Sequence, residues 1–393
     1  VAPDAMIVLA LSGSMKWNPP GDHDSWNNAT NLYSNATCSG PFYDHQSHAG
    51  YTTLCSRYEI ARKTLFTVLD DNRDGTIKSD DESSMNIRFG LGKFQDSTYT
   101  KLRDIAAKYS EIYCGSSTCT VNQSANGTKN IRYSLSSSSV TGATPLVTAL
   151  SSVKSYLDTN KTNDSYRSCR QKFVILVTDG ADTMNCGGAG YDTQSDQYKR
   201  RRASVTAAKA LADAGYKVFV IGMGSSMPAY LQNTLNWMAY WGGTDNPLVP
   251  NSGSVSGFDP ASVSTCGGSS TTGTCNGSSD QCFATSNDPG TAALSGYAFI
   301  ANNAAELEAA FRQAVNHIRE ATYSFTQASV ASSRLIDENF LYEATFQPAN
   351  GEPFWQGHIQ KYNINTDGSI GSVAWDAGTV LYLNSASSRL IYT

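Results

Sequence analysis

A chain of 393 residues, 40% hydrophobic and only 16% charged, can bury a large core and has the composition of a folded protein rather than a disordered one. Its formal charge of -5 argues against nucleic acid as the main partner, and no stretch is long and apolar enough to predict a membrane span. The 9 cysteines lie mostly in Gly-, Ser-, Asn- and Thr-rich stretches and not in tight metal-ligand pairs, which reads as disulfides in an exported protein; the odd count leaves at least one thiol free or paired between chains.

Taken in chain order, short apolar and β-branched runs predict strands at Met6 to Leu11, Ile87 to Phe94, Phe173 to Val177, Lys217 to Ile221 and Tyr297 to Ile300. Helical spacing links Leu54, Tyr58, Ala61, Leu65 and Leu69, and further helices are predicted over 145–157, with Pro145 at the start, 204–214 and 304–318. Strands that are apolar throughout, separated by helices, imply an α/β domain with a mostly parallel sheet covered on both faces. Polar insertions at about 16–51, 110–135 and 246–296 interrupt it. The basic run Lys199-Arg200-Arg201-Arg202 reads as a solvated helix face. After residue 322 the pattern alternates, as in Phe340 to Phe346 and Gly357 to Tyr362, so 323–393 reads as a small β-rich module, the truncated start of a C-terminal domain.

Ligands of an open parallel sheet bind beyond the carboxyl ends of its strands, where the strand order reverses. Three segments are expected to meet there: Ser12-Gly13-Ser14, Thr144 before Pro145, and Asp179 in Thr178-Asp179-Gly180. Their hydroxyls and carboxylate form an all-oxygen set of the kind that suits Mg²⁺, Mn²⁺ or Ca²⁺. A second oxygen set runs from Asp70 to Asp81. Asp70, Asn72 and Asp74 stand at loop positions one, three and five, Gly75 at six, Ile77 at eight and Asp81 at twelve. This spacing predicts an EF-hand-like Ca²⁺ loop using those side chains and the Thr76 carbonyl; the plainer reading is a solvated acidic turn.

The residues Ala10-Leu11-Ser12-Gly13-Ser14, with Thr144 and Asp179, resemble the metal-ion-dependent adhesion site of the von Willebrand factor A fold, whose first motif is Asp-x-Ser-x-Ser. The resemblance covers about 4–320 and implies a Rossmann-like domain over 1–322. It further implies Mg²⁺ or Mn²⁺ at the adhesion site, with one position open to a partner's carboxylate: a binding device and not an enzyme. Ala10 stands at the usual aspartate position, so the metal is expected to be weakened or absent there. A deliberate Asp→Ala change is the preferred explanation and natural loss the alternative.

Residues 353–379, from Pro-Phe-Trp-Gln-Gly-His to Trp-Asp-Ala-Gly-Thr, resemble the segment that follows the A domain in the PilY family of type IV pilus-tip adhesins and biogenesis factors. The chain looks like an N-terminal fragment of such a protein. The resemblance implies cell adhesion at a pilus tip or bacterial cell surface, reached by export through the periplasm. It implies a host-cell or abiotic surface receptor and minor pilins as partners, and support of pilus assembly. Two rivals are a structural cap of the minor-pilin complex and an A-domain subunit of a metal-chelating or ATP-driven complex; the cysteines argue against the latter, which is cytosolic.

Short spacing predicts disulfides Cys114–Cys119 and Cys38–Cys55, the second bracketing an insertion. Asp44, His45 and His48 read as surface residues, 363–370 as a hairpin turn, and the sequons at Asn28, Asn35 and Asn126 as incidental in a pilus protein. No Gly-x-Ser-x-Gly elbow or phosphate-binding Gly-rich loop is present in the sequence.

Overall fold

The computed structural model describes residues 1–16, 57–114, 119–120, 142–190, 196–224, 227–262, 266–267, 271–272, 282–323, 340–348, 355–364 and 370–383. Cys38 and Cys55, the histidines at 45 and 48 and the sequons at Asn28, Asn35 and Asn126 lie outside them. The chain divides into two compact units, Val1–Thr322 and Tyr323–Thr393.

The first unit is built on six strands: β1 (Asp4–Ala10), β2 (Arg88–Gln95), β3 (Thr98–Arg103), β4 (Lys172–Thr178), β5 (Tyr216–Met223) and β6 (Phe299–Ala301). Their order across the sheet is β6-β5-β4-β1-β2-β3. All neighbours are parallel except β2 and β3. This is the doubly wound α/β order, and its reversal falls between β1 and β4. Both central strands are buried at every residue, which is why they read as continuous apolar runs.

Six principal helices accompany the sheet: α1 (Arg57–Leu69), α2 (Ser79–Met85), α3 (Leu146–Asn163), α4 (Gln197–Asp213), α5 (Ala229–Trp241) and α6 (Ala304–Tyr323). They cover both faces, as two residues of opposite parity in β5 show. Phe219 meets His317 of α6 with ring centroids 5.3 Å apart. Gly222, of opposite parity, admits Leu235 of α5 so closely that a Cβ there would lie 2.6 Å from Leu235 Cδ1.

Among the elements that escape the sequence pattern are two of the first unit. β3 is an exposed or half-buried edge strand of mostly polar residues, joined to β2 through Asp96 at φ 55°; with no buried face it carries no hydrophobic period. In α5, apolar and aromatic residues crowd nearly the whole circumference, so the helical stripe is lost.

The basic run on α4 corrects an expectation. Arg200, Arg201 and Arg202 are buried, not solvated. Arg201 forks onto Asp288, with Nε 3.1 Å from Oδ1 and Nη2 2.7 Å from Oδ2, and also donates to the Cys282 carbonyl at 2.8 Å. Arg202 donates to the carbonyls of Ser286 and Asn287 at 2.9 Å each. The far end of the 246–296 insertion therefore folds onto α4 and supplies the oxygens that water would supply to an exposed face.

Disulfides join Cys114 to Cys119, as the spacing predicts, and Cys186 to Cys266, with Cα atoms 5.6 and 5.2 Å apart. Cys282 is also disulfide-bonded, and among the described residues Cys169 is free and exposed.

The second unit holds an antiparallel sheet of β7 (Phe340–Pro348), β8 (Trp355–Ile364) and β9 (Ile370–Asp376), followed by the short helix α7 (Ala377–Leu383). Residues 365–369, where the hairpin turn is predicted, lie outside the described residues. His358 Nδ1 lies 2.9 Å from Asp376 Oδ2, and Gln360 donates to the same oxygen at 3.0 Å. The hydrogen bond from His358, with that from Gln360, brings the Asp376 carboxyl down to about 2. A depressed acid contributes stability above its unfolded pKa and loses it as pH falls through the folded one. The contribution is thus expected to fade between about pH 4 and pH 2. A ¹³C carboxyl titration should place the Asp376 midpoint near the lower limit, and His358→Ala should return it toward the ordinary carboxylate range. An unchanged midpoint in the variant would remove His358 as the cause.

Candidate functional site

The carboxyl ends of β1 and β4 open onto one cluster. β1 ends at Ala10, wholly buried, and the chain bends at Ser12 into a short 3-10 segment, Gly13–Lys16, that carries Ser14. Asp179 follows β4 with no exposure. Ser12 Oγ donates to Asp179 Oδ1 at 3.2 Å and lies 3.2 Å from Ser14 Oγ. The Gly13 N–H donates to the Gly142 carbonyl at 2.9 Å, tying in the loop that carries Thr144. Gly142 has φ 79°, a left-handed conformation natural to glycine. Thr144 is buried, and its Oγ1 lies 3.9 Å from where a Cβ on Gly180 would stand. The four residues singled out in the sequence are thus gathered at the switch point.

Two further residues belong to this cluster and have no place in the family motif. Arg57, the first residue of α1, is fully buried and places Nη1 2.9 Å from Asp179 Oδ2 and 3.5 Å from the Ser14 carbonyl. No local pattern in the sequence marks it, because its contact with Asp179 spans 122 positions. Asp182 caps α3 by accepting from the Val147 N–H at 2.9 Å, while its other oxygen takes the N–H groups of Met184 and Asn185 at 3.0 and 2.7 Å. Burial pushes its carboxyl up despite these bonds. Thr183 completes the staple: its Oγ1 accepts from the Thr144 N–H at 2.8 Å and its own N–H donates to the Thr144 carbonyl at 3.0 Å.

The residues present do not fit a divalent cation at this cluster. Mg²⁺ asks for near-octahedral oxygen coordination, and anionic ligands supply most of the attraction. Ala10 contributes no oxygen. Both oxygens of Asp179 are engaged, one by Ser12 and the other by a guanidinium.

The loop from Asp70 to Asp81 is different. Asp70 is 4% exposed; its Oδ2 accepts from the Gly75 N–H at 2.9 Å, while its buried Oδ1 has no hydrogen-bond partner. Asn72 Oδ1 accepts from the Asp74 N–H and Asp74 Oδ1 from the Thr76 N–H, each at 2.9 Å. Thr76 begins a two-residue strand paired with Cys119–Thr120, and Ile77 is fully buried. Asp81, also fully buried, accepts from the N–H groups of Asn72 and Lys78 at 3.3 and 2.9 Å. Burial raises the Asp70 carboxyl, and the charges of Asp81 and Asp74 add to the rise. Among the described residues no three His, Cys, Asp or Glu side chains form a ready-made metal cluster; Asp74 is engaged by Lys78 Nζ at 2.5 Å. An unsatisfied buried carboxylate oxygen inside a ring of acids nevertheless fits a hard cation.

No family model and no curated protein matches the chain. Among solved structures it is similar to the PilB minor pilin from Streptococcus sanguinis, with 14% identity and a TM-score of 0.41 over 83% of this chain and 64% of that one. It is similar to the pilus adhesin SpaC from Lactobacillus rhamnosus GG, with 14% identity and a TM-score of 0.40 over 94% of this chain and 37% of that one. A third is the manganese-loaded TRAP protein of Plasmodium vivax, at 14% identity and a TM-score of 0.31 over 61% and 63% of the two chains. The chain therefore spans less than two thirds of the length of each.

Proposed function

We propose that the chain is the adhesive α/β domain, with part of a following module, of an exported pilus-tip protein that binds a surface or receptor and supports type IV pilus assembly. The observation that carries the reading is the gathering of Ser12, Ser14, Thr144 and Asp179 at the switch point, in the register of an adhesion site. Its role is binding, not catalysis. Buried disulfide-linked Cys119 and a second bridge at Cys186 suit an oxidising, extracellular setting. The Arg57–Asp179 pair favours a second reading, a structural cap of the minor-pilin complex, since it engages the carboxylate that a metal-mediated grip would use. Pull-down with minor pilins, set against retention on host-cell and abiotic surfaces, separates the two. Pilin capture without surface retention would eliminate the adhesive role.

The Asp70–Asp81 loop is proposed to hold Ca²⁺ through Asp70, Asn72, Asp74, the Thr76 carbonyl and Asp81. The ion would serve as counter-charge for acids that now repel one another. Asp70 supplies a pH signature: an acid whose pKa is raised by folding contributes stability below its unfolded value and loses it as pH rises through the folded one. Ca²⁺ should cancel that loss. At a hundredfold excess over its Kd, Ca²⁺ should add about 2.7 kcal/mol of stability. Melting curves should show the increase for this chain and none for Asp74→Ala. An equal response in both would reduce the loop to an acidic turn.

A further inference from the structure

We infer that the switch-point site is filled from within: the Arg57 guanidinium takes the place of a divalent cation and supplies the counter-charge to Asp179, so this cluster works without Mg²⁺ or Mn²⁺. The inference rests on reading Ala10, Ser12, Ser14, Thr144 and Asp179 as a site of adhesion type, but not on what the protein adheres to.

Three observations carry it. The first is charge. Asp179 is paired with a guanidinium that shares its complete burial, while the oxygens of the neighbouring Asp182 are taken up by backbone N–H groups. A dication added there would leave a buried excess of positive charge beside Arg57, which a low-dielectric interior resists. The second is coordination. Asp179 Oδ2 and the Ser14 carbonyl both face Arg57 Nη1, at 2.9 and 3.5 Å, while Asp179 Oδ1 accepts from Ser12. The guanidinium thus bridges the β1 turn and the end of β4, as a cation would. The third is placement. Arg57 is fully buried, its stem threaded inward where a surface arginine would turn to water. An anionic group on the inside offsets that burial, and Asp179 presents one 2.9 Å from Nη1. Ala10 fits the same arrangement: it brings no second carboxylate that a single guanidinium would leave unbalanced.

The consequence is that restoring an acid at position 10 is not enough to restore metal binding; Arg57 must also go. Mn²⁺ binding followed by electron paramagnetic resonance tests this in four full-length proteins, each carrying Asp74→Ala to silence the acidic loop. They are the chain itself, Asp179→Asn, Ala10→Asp, and Ala10→Asp with Arg57→Gln. The chain should bind no Mn²⁺ at millimolar metal. Ala10→Asp should bind at least about 10-fold more weakly than the double variant, the lower end of what supporting groups around a metal contribute. Mn²⁺ bound by the chain and lost in Asp179→Asn would overturn the inference with no substitution at Arg57. Equal affinity in Ala10→Asp and the double variant would overturn it as well. If circular dichroism shows the double variant unfolded, the comparison of the chain with Asp179→Asn still decides. Surface retention in EDTA is a separate measurement: its failure would refute the adhesive reading and leave the Mn²⁺ result standing.

Discussion

Truncating Arg201 to alanine should cost about 3–5 kcal/mol of folding stability, the range found when one partner of a buried ion pair is removed. Asp288 is completely buried and takes four hydrogen bonds: two from Arg201, one from the Ala284 N–H at 3.0 Å and one from the Gly290 N–H at 2.8 Å. Without the guanidinium it loses its counter-ion and two of its hydrogen bonds. The ring contacts would go too, since the Arg201 guanidinium lies 4.9 Å from the centre of Phe283 and 5.4 Å from that of Tyr230. Lys199, half-buried and paired with Asp196, is the control in the same run; Lys199→Ala should cost no more than about 1 kcal/mol. Urea unfolding of both variants tests the contrast. Similar midpoints would mean that the run on α4 behaves as a surface after all.

Arg57→Met should be of similar severity, about 3–5 kcal/mol, because it strands the fully buried Asp179 without its guanidinium. The paired change Arg57→Met with Asp179→Asn should recover most of that loss, since it removes charge from both sides and keeps an amide for Ser12 to bond. A double-mutant cycle reads the coupling directly. Additive losses would show that the two side chains do not depend on one another, and would place the cost of Arg57→Met in packing alone.

Much of the sheet could be read from the residues because its central strands are covered on both sides, and burial leaves an unbroken apolar run. The site's hydroxyls and Asp179 were readable for a related reason: strand ends at a switch point are fixed by topology, so their residues can be located without knowing any contact. Arg57 and Asp182 were not. Arg57 joins the cluster from across 122 positions of sequence, and no local pattern announces a contact that long. The arginines of α4 misled in the opposite direction. A run of basic residues on a helix reads as solvated until some other segment brings carboxylate and carbonyl oxygens to cover it, and here that segment is a Gly- and Ser-rich insertion without periodicity of its own.

The Cys186–Cys266 bridge sets how the chain lengthens under tension. Its half-cystines are separated by 80 residues that include α4, β5 and α5. A pull applied at the two ends passes across the sulfur bridge and bypasses everything between. At 3.3–3.6 Å per extended residue, roughly 260–290 Å of contour stays in reserve while the bridge is intact. Stretched as a single molecule, the oxidised chain should come up short of the reduced one by at least about that distance, with β5 shielded from the load.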